Sequence, residues 1–259
     1  MEIVRDSIYN FPKYYDLVYG SDWRAEIDFL ESCFERFCPF VVQRLFEPAC
    51  GTGRLIRQFA KIGYQVSGVD LSEKSVEFCN DRLAKIESES QVHVGDMTDF
   101  QTPQRFHASF NTINSFRHLL SHQHAVDHLR CMARGLVDGG IYVLGVHLSP
   151  TQGDACTDEH WSASRGHLRV NTSMWLTDRD LEHRFEEFHL RFDVYTPTRQ
   201  MRIEDHVKFR TYTLPEFRDL LSYVPEFEIA QTFDFSYQIN SPVQIDERTE
   251  DVVFVFRKK

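Results

Sequence analysis

Three acidic residues and a glycine turn are spaced as a ligand site requires. The segment Leu45-Phe46-Glu47-Pro48-Ala49-Cys50-Gly51-Thr52-Gly53-Arg54 passes from an apolar run into a tight turn. Gly51 and Gly53 carry no Cβ, so the backbone there can approach a bound molecule closely. Asp70 closes the run Gln65-Val66-Ser67-Gly68-Val69, 17 positions after Gly53. A carboxylate at that place in a doubly wound sheet can accept hydrogen bonds from both hydroxyls of a ribose. Asp96, in Gly95-Asp96-Met97, closes a third run, where it can reach an adenine amino group while Met97 packs on the ring. Glu47, Asp70 and Asp96 in register at three strand ends describe a ligand with adenosine at one end and a cation near the glycines.

The elements that must position these residues alternate from residue 41 to about 146. Apolar runs at 41–47, 65–70, 92–94, 108–113 and 141–146 read as strands, with helical patterns between the first three and over about 121–136. That is the rhythm of βαβ units and a parallel sheet. Ser72 is suited to cap the helix that follows Asp70, and Gly139-Gly140 reads as a helix stop and turn before the fifth strand. From about 167 to 212 the pattern changes to period two, as in Arg184–Phe192 and Met201–Phe209, and predicts three or four antiparallel strands inserted after the fifth parallel one. Leu214–Leu221 reads as a helix with Pro215 in its first turn, and Phe227–Phe235 with Val252–Phe256 as a closing hairpin on the main sheet. The expected fold is α/β, a doubly wound, seven-stranded, mostly parallel sheet with an inserted antiparallel β lid. Its ligand-binding domain comprises 1–149 and 213–259, and its lid 150–212.

A nicotinamide dinucleotide is the rival ligand. Its G-x-G-x-x-G fingerprint wants a third glycine where Ile56 stands, counted from Gly51. Glu47 would also face a pyrophosphate, which it would repel, whereas an ammonium would be attracted. A third reading is a non-catalytic protein that binds the nucleotide to sense it.

On these residues the chain resembles the class I S-adenosylmethionine-dependent methyltransferases of small-molecule type, over essentially its whole length. Glu47 to Gly53 is similar to the first motif of that family, Val69-Asp70-Leu71-Ser72 to the second and Gly95-Asp96-Met97 to the third. Asn111-Thr112-Ile113-Asn114-Ser115-Phe116 resembles the segment beside the methyl donor, and Tyr14–Tyr19 the aromatic stretch that closes over it. Ala49 departs from the pattern, which most often has glycine there. The resemblance implies S-adenosyl-L-methionine as cofactor and S-adenosyl-L-homocysteine as product. It implies cofactor contacts from Tyr15, Tyr19, Glu47, Ala49, Gly51, Gly53, Asp70, Leu71, Asp96, Met97 and Asn114. Methyl transfer is an in-line displacement that needs positioning and exclusion of water and no metal.

His118, after Asn114-Ser115-Phe116-Arg117, and His147, just past the fifth strand, fall where a general base or hydrogen-bond partner would meet an acceptor. His122, His124 and His128 lack the glutamate of a zinc-binding HExxH and read as a polar helix surface. Net charge is −10, with 29 Lys+Arg against 39 Asp+Glu and no basic cluster, which disfavours nucleic acid and anionic membranes as partners. Six cysteines without a CxxC pair read as reduced thiols, and no apolar run approaches a membrane span. The expectation is a cytoplasmic enzyme, monomer or homodimer, acting on a small-molecule methyl acceptor.

Overall fold

The computed structural model describes residues 1–20, 23–152 and 157–259. In chain order its elements are β1 (Glu2–Arg5), α1 (Pro12–Tyr19), α2 (Arg24–Phe37), β2 (Arg44–Pro48), α3 (Ile56–Lys61), β3 (Gln65–Asp70), α4 (Glu73–Ala84), β4 (Gln91–Val94), β5 (Phe106–Asn111), α5 (His122–Gly135) and β6 (Leu136–His147). They continue with β7 (Asp158–Arg165), β8 (Leu168–Asp180), β9 (Phe185–Tyr195), β10 (Gln200–Arg210), α6 (Leu214–Ser222), β11 (Phe227–Phe233) and β12 (Asp251–Lys258).

Seven strands form one sheet in the order β11-β12-β6-β5-β2-β3-β4. β4, β3, β2, β5 and β6 pair in parallel, and β12 and β11 add antiparallel at one edge. This is the doubly wound α/β sheet that the alternation predicts. Alternate residues of the central strands face opposite layers. Tyr142, Leu144 and Val146 pack with Val126, Leu129 and Met132 of α5 and Phe217 of α6. Ile141 and Val143 pack with Leu30 and Phe34 of α2, Phe59 of α3 and Cys79 of α4. Both faces are covered, so the strands read as near-continuous apolar runs.

Local signals explain the helix starts. The Ser72 hydroxyl accepts from the Ser75 N–H, capping α4. Thr213 and Glu216 form a reciprocal capping box on α6, with Pro215 in the first turn. Gly139-Gly140 acts differently from expectation. The strand already begins at Leu136, which pairs with Phe106, while Ile141 pairs with Ala108, so the glycines lie in a bulge inside β6.

The second sheet has five strands in the order β1-β10-β9-β8-β7. Four come from residues 158–210, and the fifth is the N-terminal strand, where Glu2 pairs in parallel with Met201. Period-two reading over 167–212 found β8, β9 and β10; it did not reach β7, which precedes that stretch, or β1, whose four residues are too few to show a pattern. Phe188, Leu190, Phe192 and Val194 of β9 point into a separate apolar core that includes Ile8, Leu17 and Val18. Helix α1 is thus clasped to this sheet. Asp16 on α1, nearly fully buried, pairs with Arg82 of α4 and with Arg165 of β7 at 3.1 Å. One carboxylate therefore ties the N-terminal helix to both sheets.

Candidate active site

The carboxyl ends of β2, β3 and β5 converge beneath α1. After β2 the chain turns through Ala49 (φ 50°), Gly51 (φ 52°) and Gly53 (φ 70°), all left-handed. Glycine takes this conformation without strain. At Gly53 a Cβ would stand 2.1 Å from the Cys79 sulfur, so only glycine fits. At Gly51 it would lie 3.5 Å from the ring of Tyr15, which roofs the turn. Ala49 adopts the left-handed conformation with a methyl group, a conformation that glycine would take without the clash.

Asp70, at the tip of β3, accepts from the Gly51 N–H and the Ser72 N–H, both at 2.8 Å. These bonds fix the carboxylate against the turn and leave lone pairs on both oxygens. Burial nonetheless raises its pKa, the two backbone N–H groups opposing the shift. The neighbouring Leu71 is 73% exposed, an apolar side chain held at the surface beside a carboxylate. Asp96 accepts from the backbone and hydroxyl of Thr98, each at 2.8 Å. The Met97 carbonyl is hydrogen bonded to the Nδ1 of His128 at 2.9 Å.

Two cavities adjoin here. The smaller, about 40 Å³, is lined by Glu47, Ala49, Asn111 and Thr112 among others. Glu47 is buried, and burial pushes its carboxyl well above the usual range, against the pull of Arg54. Among the described residues its Oε2 has no hydrogen-bond partner, and neither has the Oδ1 of buried Asn111. Below them Arg54 binds Glu26 through two bonds of 2.6 and 2.7 Å, and Thr112 donates to the same carboxylate at 2.5 Å. Two orphaned acceptors in one small polar cavity are what an ammonium ligand would satisfy. Together with the glycine turn and Asp70, they fit the amino-acid and ribose parts of S-adenosylmethionine.

The larger cavity, about 590 Å³, shares Tyr15, Tyr19, Ile113 and Ser115 with the smaller one. It extends to β7, β8, β9 and β10 of the second sheet and contains both histidines singled out from the sequence. His118 lies 3.0 Å from the Tyr9 hydroxyl through its Nε2. Burial, with Arg117 adding to it, lowers its pKa to about 4, so the ring is neutral at pH 7. His147 is anchored differently: its Nδ1 lies 2.6 Å from a carboxylate oxygen of Asp251, at the start of β12. Asn114, in a left-handed conformation, accepts from the His147 backbone N–H at 3.1 Å and lines the larger cavity.

The structure thus gathers Tyr15, Tyr19, Glu47 and Ala49 around the small cavity and His118, His147 and Asn114 around the large one. Gly51, Gly53, Asp70 and Leu71 lie along the turn beside them, and Asp96 with Met97 follows β4. Several site residues were not among those the sequence singled out: Tyr9, Asn111, Asp251 and the buried pair Arg117–Glu186, which joins β9 to the segment after β5. Of these only Asn111 stood in a motif. His128 departs from the expected polar surface. It is 1% exposed, with Nε2 at 2.9 Å from the Tyr142 hydroxyl, because it faces the sheet from α5. Among the described residues no cluster of His, Cys, Asp and Glu could hold a metal ion.

Comparison with known proteins agrees with this geometry. Residues 46–140 match a family model described as a methyltransferase domain. Over 207 residues, 77% of this chain and 77% of the relative, the chain is 27% identical to dTDP-4-amino-2,3,4,6-tetradeoxy-D-glucose N,N-dimethyltransferase of Saccharopolyspora spinosa. Over 133 residues, 50% of the chain and 54% of the relative, it is 29% identical to dTDP-3-amino-3,4,6-trideoxy-alpha-D-glucopyranose N,N-dimethyltransferase of Streptomyces venezuelae. The fold matches the crystal structure of Streptomyces venezuelae DesVI with a TM-score of 0.78 at 17% identity, covering 99% of this chain and 100% of that one. Residues 46–140 thus carry a methyltransferase domain, and the whole chain shares the fold of solved S-adenosylmethionine-dependent methyltransferases.

Proposed function

We propose that the acceptor atom is an amine nitrogen of an amino sugar, bound in the larger cavity and methylated across the Tyr15–Tyr19 wall. The observation that carries this is the wall itself: the two cavities share Tyr15, Tyr19, Ile113 and Ser115, so an acceptor-sized space abuts the polar one. The relatives named above are N,N-dimethyltransferases of amino sugars, which supports nitrogen as the acceptor.

When bound, S-adenosylmethionine supplies an electrophilic methyl group on a sulfonium. In this reading Glu47 and Asn111 accept from its amino group, Ala49, Gly51 and Gly53 let the backbone approach, and Asp70 holds the ribose. Asp96, Met97 and Leu71 frame the adenine. Tyr15 and Tyr19 exclude water from the point of transfer, where a dry site strengthens every polar contact. The residues of the larger cavity manage the acceptor's proton. With its Nδ1 engaged by Asp251, His147 presents Nε2 to take a proton from the acceptor ammonium, so that the nitrogen lone pair is available to attack. His118, neutral and steadied by Tyr9, hydrogen-bonds the acceptor and orients it. Residues 150–212 serve as the lid over this cavity. The free cysteines of the described residues and the lack of a helix able to span a membrane among them fit a cytoplasmic enzyme.

The test is incubation with S-adenosylmethionine and a panel of amino sugars, with products assigned by mass spectrometry and NMR. A mono- or dimethylated nitrogen is expected. Methylation on oxygen alone, or none with cofactor bound, would refute the reading.

A further inference from the structure

We propose that the larger cavity selects a phosphate-free cationic amine and disfavours an amine carried on a nucleotide diphosphate. This rests on the reading that the acceptor binds in that cavity. Its described lining holds five carboxylates, Asp158, Glu159, Glu186, Glu250 and Asp251, against two guanidiniums, Arg117 and Arg179. Both guanidiniums are bound to the same buried carboxylate, Glu186: Arg117 to one oxygen, Arg179 to the other at 2.9 Å. Arg117 also donates to the Arg210 carbonyl at 2.9 Å and lies over the Phe209 ring. A diphosphate is recognised by cations that can turn their N–H groups toward it, and here they would have to abandon a buried anion to do so. His118 adds no positive charge at pH 7, because its pKa is lowered to about 4. Residues 21–22 and 153–156 contain no Lys or Arg in the sequence.

A separate feature points the same way. Tyr9, Tyr15, Tyr19 and Trp161 form a continuous ladder of rings, with successive centroids 5.4, 4.8 and 5.9 Å apart, and all four line the cavity. Ring faces attract an ammonium and offer nothing to a phosphate. Glu159 borders the ladder closely enough that its charge, after burial and Tyr15, helps raise the Tyr19 pKa. The carboxylates come from separate parts of the chain, Asp158 and Glu159 from β7, Glu250 from just before β12, and Asp251, which holds His147, from its first residue. That placement suits an amino sugar or aminocyclitol that keeps one ammonium charged while another amine is methylated.

The test is calorimetric titration of the full chain, loaded with S-adenosylhomocysteine. Three probes are used: the methyl glycoside of 4-amino-4,6-dideoxyglucose, its dTDP-linked form, and dTDP alone as competitor. The glycoside should bind about tenfold or more tighter than the dTDP-linked sugar, and its affinity should fall as salt rises from about 50 to about 500 mM. The double variant Glu159→Gln, Glu250→Gln should weaken the glycoside by about fivefold or more while S-adenosylhomocysteine affinity stays unchanged, which also shows that the variant folds. Equal or tighter binding of the dTDP-linked sugar, displacement of the glycoside by dTDP, or no binding of either sugar to the loaded protein would overturn the proposal and leave the methyltransferase reading intact. Failure of S-adenosylhomocysteine itself to bind would overturn both.

Discussion

The small and large cavities share a wall but are built in opposite ways. The small one is built from three short stretches, the end of β2 with its turn, the end of β5 with the residues after it, and the rings of α1. Its chemistry lies in a few buried acceptors set by backbone geometry. The large one draws on the N-terminal segment, the loop after β5, the end of β6, the start of β12, and four strands of the second sheet. Its chemistry lies in side chains brought together over more than a hundred residues, such as Asp251 and His147, 104 positions apart. A cofactor common to many enzymes can be held by a compact, local device. An acceptor particular to one enzyme is shaped by the inserted strands, which can vary without disturbing the sheet.

This difference predicts where damage falls. The largest effect is expected at the large cavity's wall. Arg117→Met leaves Glu186 buried with Arg179 as its remaining guanidinium, and should cost about 3–5 kcal/mol of stability in urea unfolding. A loss below about 1 kcal/mol would show that the pair does not organise the wall. At the donor end the effect should fall on binding and not on folding. Asp70→Ala removes the proposed ribose acceptor and should weaken S-adenosylmethionine by about tenfold or more, measured by calorimetry, with unfolding little changed.

A third expectation concerns pH. His128 sits beneath the Asp96-Met97 segment, and burial lowers its pKa to about 4, the Met97 carbonyl opposing the shift. Between about 6.5 and 4 the unfolded chain therefore binds a proton that the folded one does not. Stability is full above pH 6.5 and falls as pH drops through that window, by up to about 3 kcal/mol from this residue. His128→Gln should flatten that slope in unfolding curves taken across the range; an unchanged slope would mean that another group controls it. The smallest effect is expected at the turn. Ala49→Gly relieves a left-handed alanine, offset in part by greater freedom of the unfolded chain, and should raise stability by at most about 1 kcal/mol. Destabilisation would show that the methyl group makes contacts worth more than the strain.

The same contrast explains what could be read before the fold was known. Strand β3 ends at Asp70 as its pattern predicts, and Ser72 caps the next helix, because both signals lie within a few residues. The glycine turn was legible for the same reason. The partner of His147, the pairing of Arg117 with Glu186 and the addition of β1 to the second sheet were not, since each joins segments far apart in sequence. His128 was misread as surface because four histidines near one helix look polar, yet burial depends on which face the sheet takes.

The central claim is that donor and acceptor meet at the wall formed by Tyr15 and Tyr19. It is tested most directly by NMR with S-adenosylmethionine carrying a 13C-labelled methyl group, bound to protein with labelled tyrosines. The structure predicts nuclear Overhauser contacts between that methyl group and the rings of Tyr15 or Tyr19, lost in the double variant Tyr15→Leu, Tyr19→Leu. Saturated cofactor binding with no contact to either ring would contradict it.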